Sequence, residues 1–178
     1  GVVTLNGAGG DDTLNGTANN DLLLGAGGND SISADAGDDT ISGGSGNDYI
    51  IGWSGTDVLF ETAGSGNDTI TLTNTSMSGA LGDDTLTTVE RAELWGGDGD
   101  DTISAASFSG SVTLVGGDGD DSLTGTPLND SLLGGRGDDS LYGSNGNDTI
   151  NGGAGDDSLV GSFGDDRIAG HTGDDTIT

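Results

Sequence analysis

The residues best suited to chemistry in this sequence are aspartates, and they recur at a fixed spacing. From Asp12 to Asp57 one stands every ninth residue, and the same interval returns from Asp121 to Asp175. Carboxylates repeated in this way offer oxygen ligands to a hard cation, whereas acid–base catalysis needs one well-placed pair rather than a periodic series. Only Glu90 and Glu93, beside Arg91 in TVERAELW, invite the second reading, since two acids flanking a scissile bond would be glycosidase chemistry. A solvated ion pair next to a strand explains them more simply. The chain has no cysteine, hence no thiolate metal site, and its single histidine, His171, stands at a loop position expected to face solvent. No HExxH, GxSxG or phosphate-loop motif is present.

Around each aspartate lies a nine-residue block in which Asp is sixth. The clearest copies are Gly43 to Ile51 (GGSGNDYII), Gly116 to Thr124 (GGDGDDSLT) and Gly152 to Val160 (GGAGDDSLV). Sixteen blocks fit this register: six contiguous over 7–60, single blocks at 63–71, 79–87 and 96–104, and seven contiguous over 116–178. Their sixth positions are Asp12, Asp21, Asp30, Asp39, Asp48, Asp57, Asp68, Asp84, Asp101, Asp121, Asp130, Asp139, Asp148, Asp157, Asp166 and Asp175. The eighth position is Leu or Ile in every block. First and fourth positions are Gly except at Ala34 and Ala63, and at Asn19 and Leu128. Glycine at turn positions permits positive φ and close backbone approach, and the short segment around the eighth position suffices for a three-residue strand. Its central Leu or Ile then points inward, and the seventh and ninth side chains point outward.

The pattern GGxGxDxUx resembles the RTX (repeats-in-toxin) hemolysin-type nonapeptide family, and the blocks that carry it cover 144 of 178 residues. The resemblance implies an all-β fold, a right-handed parallel β-roll. Two nonapeptides would make each 18-residue turn, with a sheet on either side and calcium between stacked loops. Calcium takes six to eight oxygen ligands in forgiving geometry, and loops stacked about 4.8 Å apart offer carboxylates and carbonyls from two turns at once. The expected ligands are the sixteen sixth-position aspartates. Backbone carbonyls of loop residues such as Gly10, Gly28, Gly46, Gly66, Gly82, Gly99, Gly119, Gly137, Gly155 and Gly173 would complete the sites. The fifth position, Asp or Asn in every block except at Thr56, is read as turn chemistry rather than ligation.

Composition agrees with a metal requirement. The formal net charge is −28, from 31 acids against three arginines and no lysine, which excludes nucleic acid and anionic membrane as partners. With 30% apolar residues and 38 glycines the chain cannot bury enough surface to offset the ordering of its backbone, and stacked carboxylates without metal repel. The chain is expected to be unfolded without calcium and to fold with it.

Alternate loops define two rows. One is expected to run unbroken through Asp12, Asp30, Asp48, Asp68, Asp84, Asp101, Asp121, Asp139, Asp157 and Asp175. The other holds Asp21, Asp39 and Asp57, then nothing until Asp130, Asp148 and Asp166. The spacing predicts one continuous roll over 1–178, regular over 7–60 and 116–178 with an irregular middle over 61–115, and about thirteen calcium ions. Two separate rolls, 7–71 and 116–178, are the alternative. Apolar residues in the middle (Val89, Leu94, Trp95, Phe108, Val112, Leu114) favour a continued core.

No apolar run is long enough to span a bilayer, and no basic-then-apolar leader opens the sequence. Proteins similar to this one are secreted by bacteria, many through a type I exporter, with the roll as an accessory, non-catalytic module. The chain begins and ends inside the repeat, as expected of a module whose partners include missing domains of a parent protein, outside the cell or at its surface. Outward Ser and Thr residues on one sheet and an exposed Trp53 leave open a surface adhesion, glycan-binding or ice-binding role. Outward Leu22, Leu24, Val58, Phe60 and Leu133 on the other sheet are candidates for a contact face.

Overall fold

The computed structural model describes residues 1 to 178, and they form twenty short strands and no helix. Nine strands make one sheet, in the order Thr4–Asn6, Leu22–Gly27, Thr40–Ser45, Val58–Thr62, Arg91–Asp98, Ser111–Asp118, Ser131–Arg136, Thr149–Ala154 and Arg167–Thr172. Every neighbouring pair in it is parallel. Eleven strands make the other sheet, which begins with Thr13–Asn15, Ser31–Ser33 and Tyr49–Ile51 and ends with Thr102–Ser107, Ser122–Thr124, Ser140–Asn145, Ser158–Phe163 and Thr176–Ile177. Outside the middle the register advances by one turn of two blocks: Leu14 pairs with Ile32 and Ile32 with Ile50, while Leu23 pairs with Ile41 and Ile41 with Leu59. This is the parallel β-solenoid that the nine-residue period predicts.

Period-two alternation sends the eighth-position side chains inward. Fourteen of the sixteen are buried, from Leu14 to Leu159, whereas Ile168 is half-buried and Ile177 is exposed at the last turn. In the middle, Leu72, Met77, Ala92, Leu94, Ala105, Phe108, Val112 and Leu114 join the same core. Trp95 departs from expectation. It follows inward Leu94 in an alternating strand, so it faces out and is 41% exposed.

The middle also overturns the unbroken row. Strand Thr69–Thr73 is followed by Ser76–Gly79 and Gly82–Thr87, and both steps are antiparallel hairpins. The chain thus travels forward along the roll, turns back twice, and sets Gly82–Thr87 beside Tyr49–Ile51, with Thr69–Thr73 beside Thr102–Ser107. Spatial order runs Asp48, Asp84, then the antiparallel strand, then Asp68 and Asp101. The reason lies in the local sequence. TITLT and SMS alternate for longer than a nonapeptide strand, and both hairpin ends carry turn formers, Asn74 at one and Gly79 and Gly82 with positive φ at the other.

Candidate metal centres

Each loop is shaped by its glycines. At the fourth position, Gly28 (φ 120°) and Gly137 (φ 118°) adopt the left-handed region. A Cβ on either would strike the carbonyl of Gly10 or Gly119 one turn below, so only glycine lets the loops stack this closely. At the first position a Cβ would meet the loop's own aspartate, 2.7 Å from Oδ2 of Asp12 in the case of Gly7. The missing side chain therefore makes room for the carboxylate.

The sixth-position carboxylates divide their two oxygens between different tasks. Oδ1 accepts the backbone N–H of the aspartate one turn earlier, as in Asp12 N to Asp30 Oδ1 at 2.8 Å and Asp121 N to Asp139 Oδ1 at 2.9 Å. Such bonds define twelve stacked loop pairs: eight in the row from Asp12 to Asp175, which the antiparallel strand divides, and four in the other row. Oδ2 is sealed from solvent without any hydrogen-bond donor in eleven of them: Asp12, Asp30, Asp39, Asp48, Asp57, Asp84, Asp101, Asp121, Asp139, Asp148 and Asp157. A buried carboxylate oxygen left without a partner is costly, and a series of them on one loop position calls for a cation.

The fifth-position side chains form a second, exposed ladder running the opposite way. Asn29 N–H donates to Asp11 Oδ1 at 2.8 Å one turn back, and Asp138 N–H to Asp120 Oδ1 at 2.8 Å. These residues thus serve loop geometry. The carbonyls of Gly10, Gly28, Gly99, Gly119, Gly137 and Gly155 accept no backbone hydrogen bond, which leaves them free as ligands. No three acidic or histidine side chains converge anywhere, so each centre would be a mixture of carboxylate and carbonyl oxygens, the donor set calcium prefers.

Electrostatics point the same way. Burial, with the neighbouring carboxylates adding to it, pushes Asp57, Asp121 and Asp148 up to about 6 and Asp84 and Asp139 up to about 7. Asp39, Asp48, Asp101 and Asp157 move in the same direction for the same reason. Asp68, Asp166 and Asp175 occupy the same loop position but are only partly buried.

Two loops differ. In Gly16–Asp21 and Gly125–Asp130 a threonine at the second position donates its N–H to the loop's own Oδ2, at 2.6 Å from both Thr17 and Thr126. Burial acts to raise both carboxylates; in Asp21 the N–H groups of Val3 and Thr17 and the Thr17 hydroxyl outweigh it and leave the group below the usual carboxylate value, whereas in Asp130 burial outweighs the bonds from Val112 and Thr126 and leaves it above. These are the two blocks without glycine at the fourth position, a signal visible in the sequence. Glu90 has no ion pair with Arg91. Its Oε2 instead accepts the N–H of Asp57 at 3.0 Å, the place taken elsewhere by the next aspartate.

Glu61 was not singled out by its motif. Alternation from Leu59 turns it inward, where it accepts the N–H groups of Gly43 and Gly44 and the Ser42 hydroxyl, and burial pushes it up to about 8. Trp53 is exposed and its indole N–H donates to Ser33 at 3.0 Å; His171 lies on an exposed loop. Of the candidate contact residues, Leu22, Leu24, Val58 and Phe60 are half-buried and Leu133 is exposed.

Parallel turns of two glycine-rich loops, most with a buried carboxylate oxygen that no protein donor reaches, define a calcium-binding β-roll repeat protein. The profile of the RTX calcium-binding nonapeptide repeat (four copies) matches residues 4–32, 24–59, 93–112, 124–159 and 151–178, and the chain belongs to that family. The unmatched stretch between 59 and 93 contains the two hairpins. No curated protein matches the chain.

Proposed function

We propose that this chain is a calcium-dependent folding module of a larger secreted bacterial protein, unfolded where calcium is scarce and ordered where it is millimolar. The observation that carries this reading is the set of eleven buried, donor-less Oδ2 atoms. Without cations these carboxylates must either be protonated or repel one another, and both disfavour the roll at neutral pH. Calcium supplies the missing partner, and its binding free energy becomes folding free energy. Sixth-position aspartates and fourth-position carbonyls would supply the ligands, and the twelve stacked loop pairs support a calcium count of at most about twelve. Weak sites in the range of roughly 10⁻⁴ to 10⁻³ M would keep the chain extended before export and fold it afterwards.

Circular dichroism during a calcium titration tests this. A cooperative rise of β-signal in the millimolar range, absent with magnesium, is expected; a spectrum unchanged by chelator and calcium alike would refute it.

A further inference from the structure

All sixteen sixth-position aspartates were expected to meet calcium, yet two of them already have their partners. We infer that Asp21 and Asp130 are not calcium ligands, and that Thr17 and Thr126 take the cation's place in metal-free end loops. This rests on the calcium reading above. In each loop the threonine N–H reaches Oδ2 at 2.6 Å, and its hydroxyl lies 3.0 Å from Asp21 Oδ2 and 2.9 Å from Asp130 Oδ2. The hydroxyls then bind the fourth-residue side of the turn, accepting from Asn19 Nδ2 at 3.2 Å and from Leu128 N–H at 3.1 Å. Neither carboxylate is among those left without a donor, although Asp21 is 4% and Asp130 5% exposed.

The backbone explains why threonine marks these loops. In regular loops the second residue takes positive φ, as at Ala8 (75°), Ala26 (81°) and Ser144 (87°), and so does the fourth-position glycine. Thr17, Asn19, Thr126 and Leu128 adopt no such angle. A β-branched residue is strained in that region, so the loop turns differently and carries its own donors to the carboxylate. Position in the fold gives the purpose. Both loops stand at the foot of a ladder, where no earlier nonapeptide loop lies beneath them. Their Oδ1 atoms accept the N–H groups of Val3 and Val112, each at 2.8 Å, and neither valine belongs to a nonapeptide loop. A calcium ion there would have loop ligands on one side only, whereas two hydrogen-bond donors satisfy the carboxylate from within. Glu90 closes the far end of the first of these ladders by capping Asp57 N–H. The stretch Asp21, Asp39, Asp57 is thus finished at both ends by side chains, and its cations are confined between loops.

The experiment counts ions by calorimetry on the full chain and its variants. Wild type gives the reference, and a wild type that binds no calcium would sink the calcium reading itself. Asp21→Asn and Asp130→Asn are expected to keep the wild-type number of ions, whereas Asp39→Asn and Asp148→Asn, one turn further along the same ladders, lose at least one each. Loss of an ion in Asp130→Asn, matching Asp148→Asn, overturns the inference while leaving the calcium reading intact. Should the asparagine variants not fold, Thr126→Val decides: with the ion count unchanged, its folding midpoint should need about twofold or more calcium, since a hydrogen bond to a buried charge is lost. An unmoved midpoint would show that the threonine does not hold the loop.

Discussion

The array from Gly116 to Thr178 and the middle from Glu61 to Val115 belong to the same two sheets but are held in different ways. In the array each strand but the last contributes one inward Leu or Ile, and four of its aspartates, Asp121, Asp139, Asp148 and Asp157, carry a sealed oxygen without a donor. In the middle the core includes Ile70, Leu72, Met77, Leu86, Leu94, Phe108, Val112 and Leu114, while one ladder is missing altogether. Where side chains fill the interior, fewer loops are needed; where glycine loops repeat, the interior is thin and cations must supply the rest. On the calcium reading proposed above, hydrophobic packing and metal ligation would substitute for one another along the two sheets.

Calcium removal probes that contrast most severely. As chelator lowers the free ion, amide exchange protection is expected to vanish across Asp121 to Asp157 at a higher calcium concentration than across Thr69 to Leu114. Simultaneous loss would show that the middle leans on cations as heavily as the array. Next in size is Phe108→Ala, which removes one of the largest fully buried side chains. A cost of about 3–5 kcal/mol is expected in calcium-saturated denaturation, and a cost under about 1 kcal/mol would mean the middle is not stabilised by packing.

Glu61 offers a subtler test. Because its folded value lies near 8, above the ordinary glutamate range, its contribution is fully present in acid and is lost as pH rises through about 8. Glu61→Gln should gain on wild type steadily as pH rises from about 5 to about 8 and keep a constant advantage above that, measured by thermal unfolding in excess calcium. Equal pH profiles would show that Glu61 is already charged in the folded chain. The smallest effect belongs to the array's surface. Arg136 pairs with Asp118 at 3.1 Å, with both side chains more than half exposed, so Arg136→Ala should change stability by less than about 1 kcal/mol.

Much of this could be read from the sequence because the repeat and the physics share a period. Leu14, Leu23, Ile32 and Ile41 are spaced to fall inward, and they do; the aspartates between them fall on the loops. The reversal between Thr69 and Thr87 was hidden because Asp68 and Asp84 keep the motif. The register of a block says nothing about which earlier turn it docks against. Its trace was the longer alternation in TITLT and SMS. Trp95 was assigned inward on its apolarity, although Leu94 beside it already claimed the core side. Asn19 and Leu128 were visible as exceptions, but the part played by Thr17 and Thr126 beside them required knowing which carboxylate oxygen lies within reach of the second residue.

The two hairpins in the middle also set the order in which the roll can be wound. Elsewhere a turn docks on the one made 18 residues before, as in Asp139 N–H to Asp157. At the reversal the partners are 33 to 36 residues apart: Asp48 with Asp84, Asp57 with Glu90, and Asp68 with Asp101. A chain winding from the N-terminal end cannot zip across this region turn by turn, because the strand that docks on Tyr49–Ile51 is Gly82–Thr87, which comes later in the chain than Thr69–Thr73. The longer loops to be closed make it the slow step. The reversal is therefore expected to act as a kinetic seam between the turns before Asp57 and those after Asp101.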